Sequence, residues 1–184
     1  MNPDTLAEAR KLFASAKKAA VSFRGELVLC PPSAYLFELS RGYRGSRIVF
    51  GAQDVSHERA GAHTGEISGA MLRSVGAAYA LAGHSERRAQ GEGNESVGKK
   101  VSAALSSGLS PILCVGERVR DEHGDFFHVV EEQLRQGLAG VAESSLPRVT
   151  VAYEPVWAIG TGAENAMKPA DAHEMAIFIR KTLP

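Results

Sequence analysis

Two residues stand where chain geometry can put chemistry. His84 follows the apolar run Tyr79-Ala80-Leu81-Ala82-Gly83 and precedes Ser85-Glu86-Arg87-Arg88, a polar stretch able to start a helix. A helix N-terminus carries partial positive charge, which disfavours a protonated imidazole and suits His84 to donate a neutral hydrogen bond to a substrate oxygen. The competing reading is a structural histidine with its hydrogen bonds satisfied. Glu154 ends Val149-Thr150-Val151-Ala152-Tyr153 and opens Pro155-Val156-Trp157-Ala158-Ile159-Gly160-Thr161-Gly162. A carboxylate at the end of a buried strand is costly unless it is paired or used, so the competing reading here is a salt-bridged strand end. The flanking segment argues for a base. Residues 155–162 have Pro at one end, Gly-Thr-Gly at the other and an apolar stretch between, the composition of a hinged lid that would expel water from the carboxylate. Gly160 and Gly162 leave backbone N–H groups able to approach a phosphate closely.

These residues need a scaffold that delivers strand ends to one place. Asp4-Thr5 can cap a first helix with apolar positions Leu6, Ala9, Leu12, Phe13 and Ala16. Strands are then predicted over 26–30, 47–52, 79–82, 111–115 and 149–153, and further helices over 33–39, 68–75, 94–107, 126–138 and 169–183. The strands are apolar throughout instead of alternating, as in a parallel sheet covered on both faces. No linker or composition shift breaks the series of five strands and six helices, so 1–184 reads as one domain. Pattern alone leaves open a doubly wound sheet or a (β/α)8 barrel, and both carry their sites at the C-terminal ends of the strands.

Composition narrows the partners. The 184 residues are 44% hydrophobic, and 21 Lys plus Arg balance 21 Asp plus Glu, so no net field draws in nucleic acid or an anionic membrane. No apolar window is long enough to cross a bilayer and the N-terminus lacks a signal-peptide pattern, so a cytoplasmic address is expected. Cys30 and Cys114 are far apart and suit free thiols in a reducing compartment. His57, His123, His128 and His173 show no metal-ligand spacing and read as surface residues, and Gly91-Glu92-Gly93 reads as a flexible turn.

Ala82-Gly83-His84-Ser85-Glu86-Arg87-Arg88 and Ala152-Tyr153-Glu154-Pro155-Val156-Trp157-Ala158-Ile159-Gly160-Thr161-Gly162 resemble the two signature stretches of the triosephosphate isomerase family. Cys30-Pro31-Pro32, Gly61-Ala62-His63-Thr64-Gly65-Glu66-Ile67-Ser68 and Ile112-Leu113-Cys114-Val115-Gly116-Glu117 extend the likeness along the chain. The resemblance implies an α/β fold, a (β/α)8 TIM barrel that is incomplete here, as a single partial domain over 1–184. It implies an isomerase of glycolysis and gluconeogenesis that interconverts glyceraldehyde 3-phosphate and dihydroxyacetone phosphate through an enediol, with no metal or cofactor. Glu154 would be the proton-shuttling base, His84 the electrophile, and the Gly160 N–H a substrate-phosphate donor after lid closure. Ile159 would seal the base from water, while Ser85 and Glu86 would support the site and Arg87 and Arg88 brace its loop by ion pairing. The segment from Gln53 to Glu66, with Thr64 near its tip, resembles the loop that reaches across a homodimer.

The sequence departs from the family pattern in places. The resemblance begins at Met1-Asn2-Pro3, just after a first strand that in the family carries an active-site Asn and Lys. It stops at Lys181-Thr182-Leu183-Pro184, before two further strands whose Ser and Gly-Gly groups hold the phosphate. A complete barrel has eight strands and typically about 250 residues. The expectation is that these residues are the middle of a longer reading frame; the alternative is a catalytically incompetent fragment or dimerising scaffold. His63 stands where the family usually has an aromatic residue, and Asp54 where it usually has Asn.

Overall fold

The computed structural model describes residues 2–160, 162 and 166–183. The chain divides into two compact units, Met1–Ala82 with Ala103–Pro111, and Gly83–Ser102 with Ile112–Pro184.

In the first unit, α1 (Leu6–Ser22) starts where the Thr5 hydroxyl accepts a hydrogen bond from the Glu8 N–H. β1 (Leu27–Leu29) is followed by Pro31-Pro32, and α2 (Ser33–Gly42) starts directly after Pro32. β2 (Ile48–Ala52), α3 (Gly69–Ser74) and β3 (Tyr79–Ala82) follow, with Ser68 capping α3 through the Met71 N–H. β1 and β2 pair in parallel with Leu27 opposite Ile48, and β2 and β3 with Gly51 opposite Tyr79. The Ser110 N–H continues the series by donating to the Ala78 carbonyl at 2.8 Å. Phe13, Leu36, Leu39, Phe50, Leu72 and Leu109 fill the core, and the rings of Phe13 and Phe50 lie 5.6 Å apart.

The second unit holds α4 (Ser85–Ala89), most of α5 (Asn94–Ser106) and of β4 (Ser110–Val115), α6 (Asp125–Gly137), β5 (Thr150–Tyr153) and α7 (Pro169–Thr182). Two short 3-10 segments flank β5, at Glu143–Arg148 and Val156–Ala158. β4 pairs in parallel with β5 from Ile112 opposite Thr150 to Val115 opposite Tyr153. Val97, Val101, Leu113, Val130, Leu134 and Met175 are fully buried here. Small residues let the helices close in. A Cβ on Gly98 would lie 2.4 Å from the Gln136 carbonyl, and one on Gly137 would lie 2.9 Å from the Leu113 side chain.

Within each unit the strands are ordered as they occur in the chain, with no reversal. A doubly wound sheet needs a reversal at its switch point, so sequential parallel order decides for the arc of an incomplete (β/α)8 barrel. The predicted strands agree with the observed ones to within two residues. The helix count needs correction: seven α-helices occur among the described residues, because α4 occupies the polar stretch after His84 that pattern reading took only as a helix start.

Candidate active site

His84, Ser85, Glu86, Glu154, Ile159 and Gly160 all belong to the second unit. β3 ends at Ala82, and Gly83 turns the chain at a φ of 75° that disfavours any side chain. That turn places His84 at the cap of α4, where its Nδ1 accepts a hydrogen bond from the Glu86 N–H at 3.3 Å. With Nδ1 taken up as an acceptor, Nε2 is the ring nitrogen left to donate. That nitrogen lies 3.5 Å from Glu154 Oε1. The other carboxylate oxygen of Glu154 accepts the Ser85 N–H at 3.1 Å. The Glu154 backbone is fixed as well, its N–H donating to the Val115 carbonyl at 2.7 Å. Imidazole and carboxylate thus face each other from the ends of two strands, each oriented by main-chain groups.

Arg88 braces this loop, through hydrogen bonds more than through an ion pair. Its Nε donates to the Gly83 carbonyl at 2.7 Å, Nη2 to the Cys114 carbonyl at 3.2 Å, and Nη1 to Asn94. Burial lowers its proton affinity, and the neighbouring Glu92 acts in the opposite direction. The Glu86 side chain is exposed, and its backbone N–H is the group that meets His84. Glu92, inside the Gly-Glu-Gly stretch that reads as a flexible turn, has its side chain buried against the Lys100 ammonium. That turn is anchored.

The structure adds a carboxylate that pattern reading left without a role. Glu117, two residues beyond β4, is 1% exposed. It accepts the Tyr153 hydroxyl at 2.9 Å and the Trp157 indole N–H at 2.7 Å, and its backbone carbonyl takes the Val156 N–H at 3.0 Å. Arg120 approaches it at 3.9 Å and pairs with Glu174 at 2.8 Å. Burial first, then the Glu117 carboxylate, push the Tyr153 phenol far above its ordinary range, so it remains a donor. The signal was available, because Glu117 lies at the same C-terminal strand edge as His84 and Glu154.

Residues 155–160 and 162 of the lid segment are described, and Thr161 lies outside the described residues. The segment is pinned at its start, where Val156 and Trp157 hold Glu117, and is open at its tip, where Ile159 is 50% exposed. Gly160 has a φ of 73°, and a Cβ there would meet open space. Thr64 belongs to the first unit, on an exposed loop closed at its base by the Ser56 N–H donating to the Ile67 carbonyl at 2.9 Å. On that loop His57 and His63 approach Glu58 at 3.4 and 3.5 Å. His57, His123, His128 and His173 are exposed, and no group of three or more metal-ligating side chains is placed to hold an ion among the described residues. Neither Cys30 nor Cys114 is in a disulfide among the described residues, and no described helix is long and apolar enough to cross a membrane.

Comparison with known proteins bears on the same residues. The family model described as Triosephosphate isomerase matches residues 1–184. The chain is 48% identical over 160 residues to the triosephosphate isomerase of Roseiflexus sp. (strain RS-1), covering 86% of this chain and 62% of that protein. It is 44% identical over 181 residues to that of Thermoanaerobacter pseudethanolicus, covering 97% and 72%, and 45% identical over 182 residues to that of Moorella thermoacetica, covering 98% and 72%. The chain therefore spans about six to seven tenths of the length of these curated relatives. With sequential parallel strands, both signature stretches and a model match from end to end, the chain belongs to the triosephosphate isomerase family.

Proposed function

We propose that the protein interconverts glyceraldehyde 3-phosphate and dihydroxyacetone phosphate. The observation that carries this reading is the pairing of His84 Nε2 with Glu154 Oε1 at 3.5 Å, each held by a backbone N–H. Glu154 takes a proton from the carbon beside the substrate carbonyl. The electron pair moves into a carbon–carbon double bond, and the carbonyl oxygen gains the hydrogen bond or proton that the neutral His84 offers from Nε2. Return of the proton to the adjacent carbon, with the hydroxyl on the first carbon giving its O–H proton to the imidazole as it becomes the new carbonyl, completes the isomerisation with no net redox change. Family membership supports the substrate pair.

Three further roles belong to this proposal. The Gly160 N–H binds the substrate phosphate once the lid closes, and Ile159, exposed in the structure, moves over Glu154 to exclude water. Thr64 reaches a second copy of the chain, giving a homodimer with two equivalent contacts. The protein works in the cytoplasm, a reducing compartment that suits its two free cysteines.

The test is a triose phosphate isomerase assay on the protein expressed from its whole reading frame, run in both directions in deuterated water. Turnover with solvent deuterium entering the carbon-bound position is the expected outcome. A Glu154→Gln protein that turned over at the unmodified rate would overturn the role of Glu154.

A further inference from the structure

Gly116 lies between two residues that bond toward β5. The Val115 carbonyl accepts the Glu154 N–H at 2.7 Å, and the Glu117 carbonyl accepts the Val156 N–H at 3.0 Å. A strand in a parallel ladder offers alternate residues to one neighbour, so the polar groups of Gly116 face away from β5. Both are met by one side chain. The Gly116 N–H donates to Gln133 Oε1 at 2.7 Å, and Gln133 Nε2 donates to the Gly116 carbonyl at 3.1 Å. Gln133 is on α6, 8% exposed, beside the buried Val130 and Leu134. Its amide thus meets both polar groups of the Gly116 residue from the helix side.

The clamped peptide is the surface on which the base rests. A Cβ built on Gly116 would lie 1.8 Å from the Glu154 carbonyl oxygen, so the two backbones are in direct contact with no side chain between them. We propose that Gln133 is a positioning residue for Glu154, holding Gly116 in place so that the carboxylate keeps its height and direction beside His84. The inference rests on the isomerase reading above. Proton abstraction depends steeply on alignment, and a displacement of about 1 Å can cost on the order of a hundredfold in rate. A glutamine that only stabilised the fold would change the amount of folded protein and leave the turnover of each folded molecule unchanged.

The test uses Gln133→Leu, which keeps the volume and removes both bonds, and Gln133→Glu, which makes them depend on protonation. A neutral carboxyl at this position donates through its O–H to the Gly116 carbonyl and accepts the Gly116 N–H, whereas a carboxylate cannot donate. The residues lining the cavity of about 500 Å³ beside Gln133 include Glu92, Glu117, Asp121, Asp125, Arg88 and Arg118. Burial favours the protonated form, whereas these acids are offset by Arg88 and Arg118, by Lys100 on Glu92 and by Arg120 beside Glu117. We expect Gln133→Leu to lower kcat by roughly 10- to 100-fold while KM stays within about threefold. For Gln133→Glu, kcat relative to the unmodified protein should rise as pH falls from 8 to 6. The third readout is amide hydrogen exchange at the Glu154 N–H, which should accelerate in Gln133→Leu.

If both variants keep kcat at every pH and the Glu154 amide exchanges as before, the positioning role is overturned. Should Gln133→Leu not fold, Gln133→Glu at pH 6, with both bonds restored, carries the test through its pH slope. An unmodified protein that turned over no triose phosphate would overturn the isomerase reading, and the exchange rate would still decide whether Gln133 holds Glu154.

Discussion

Glu154 and His84 are oriented by main-chain donors, and this makes their substitution informative. Glu154→Gln keeps an oxygen able to accept the Ser85 N–H but has no basic carboxylate. We expect kcat to fall by roughly 10²- to 10⁴-fold, the range for loss of a general base, with the melting temperature nearly unchanged. An active Glu154→Gln protein would remove the residue from its role. His84→Gln should lower kcat more than KM, because polarising the carbonyl matters most as negative charge develops on its oxygen. At the other end of the reactivity range is Cys30, whose thiol burial pushes up to about 11 from 9.0. The folded value is raised, so the associated stability is fully present below about pH 9 and is lost as pH rises toward about 11. Native protein at pH 8 should therefore alkylate at Cys30 far more slowly than denatured protein, as mass spectrometry of iodoacetamide-treated samples would show.

At the scale of elements, the end of β4, the end of β5 and the start of the lid are tied together by Glu117. Replacing it by Leu leaves the Tyr153 hydroxyl and the Trp157 indole N–H without their buried acceptor and removes the carboxylate 3.9 Å from the Arg120 guanidinium. Such a loss should destabilise the protein by about 3 kcal/mol, measured by denaturant unfolding, with Trp157 fluorescence reporting the released indole. The lid itself is separable from this anchor. Its tip is exposed, so a deletion within 158–162 should preserve the fold while exposing the enediol to water. Inorganic phosphate released by elimination from that intermediate is the quantity to measure, and an unchanged phosphate yield would remove the water-excluding role from the lid. Strand positions were legible in sequence because fully apolar runs bounded by Gly and Pro have few other homes. α4 was not, since a helix of five residues is too short to show a period, and the 3-10 segments do not follow the 3.6-residue repeat. His84 and Glu154 were legible as polar residues at strand ends. Glu117 and Gln133 were harder, because their partners lie 40 and 17 residues away and only the fold brings them together.

For the whole molecule, sequential parallel strands give the barrel arc, and the family match accounts for every residue from 1 to 184. The loop carrying Thr64 then needs a reason of its own, for beyond Val55, which joins the core of the first unit, residues 57–66 lie outside that core. Its ends are tied by the bond from Ser56 to Ile67 and by the bridge between Ser56 and Ser68, while the residues around its tip are exposed. A protruding loop with a fixed base and a solvent-facing tip loses little entropy on docking, which suits a contact made twice across a two-fold axis. We therefore expect the protein from its whole reading frame to sediment as a dimer. Thr64→Arg places a bulky charge at the tip without disturbing any buried group of the single chain, so each chain should keep its secondary structure while the dimer dissociates and kcat falls. Analytical ultracentrifugation across a dilution series checks the first part and circular dichroism the second. A Thr64→Arg protein that stays dimeric and fully active would take the tip of this loop out of the interface and leave its exposure without a function.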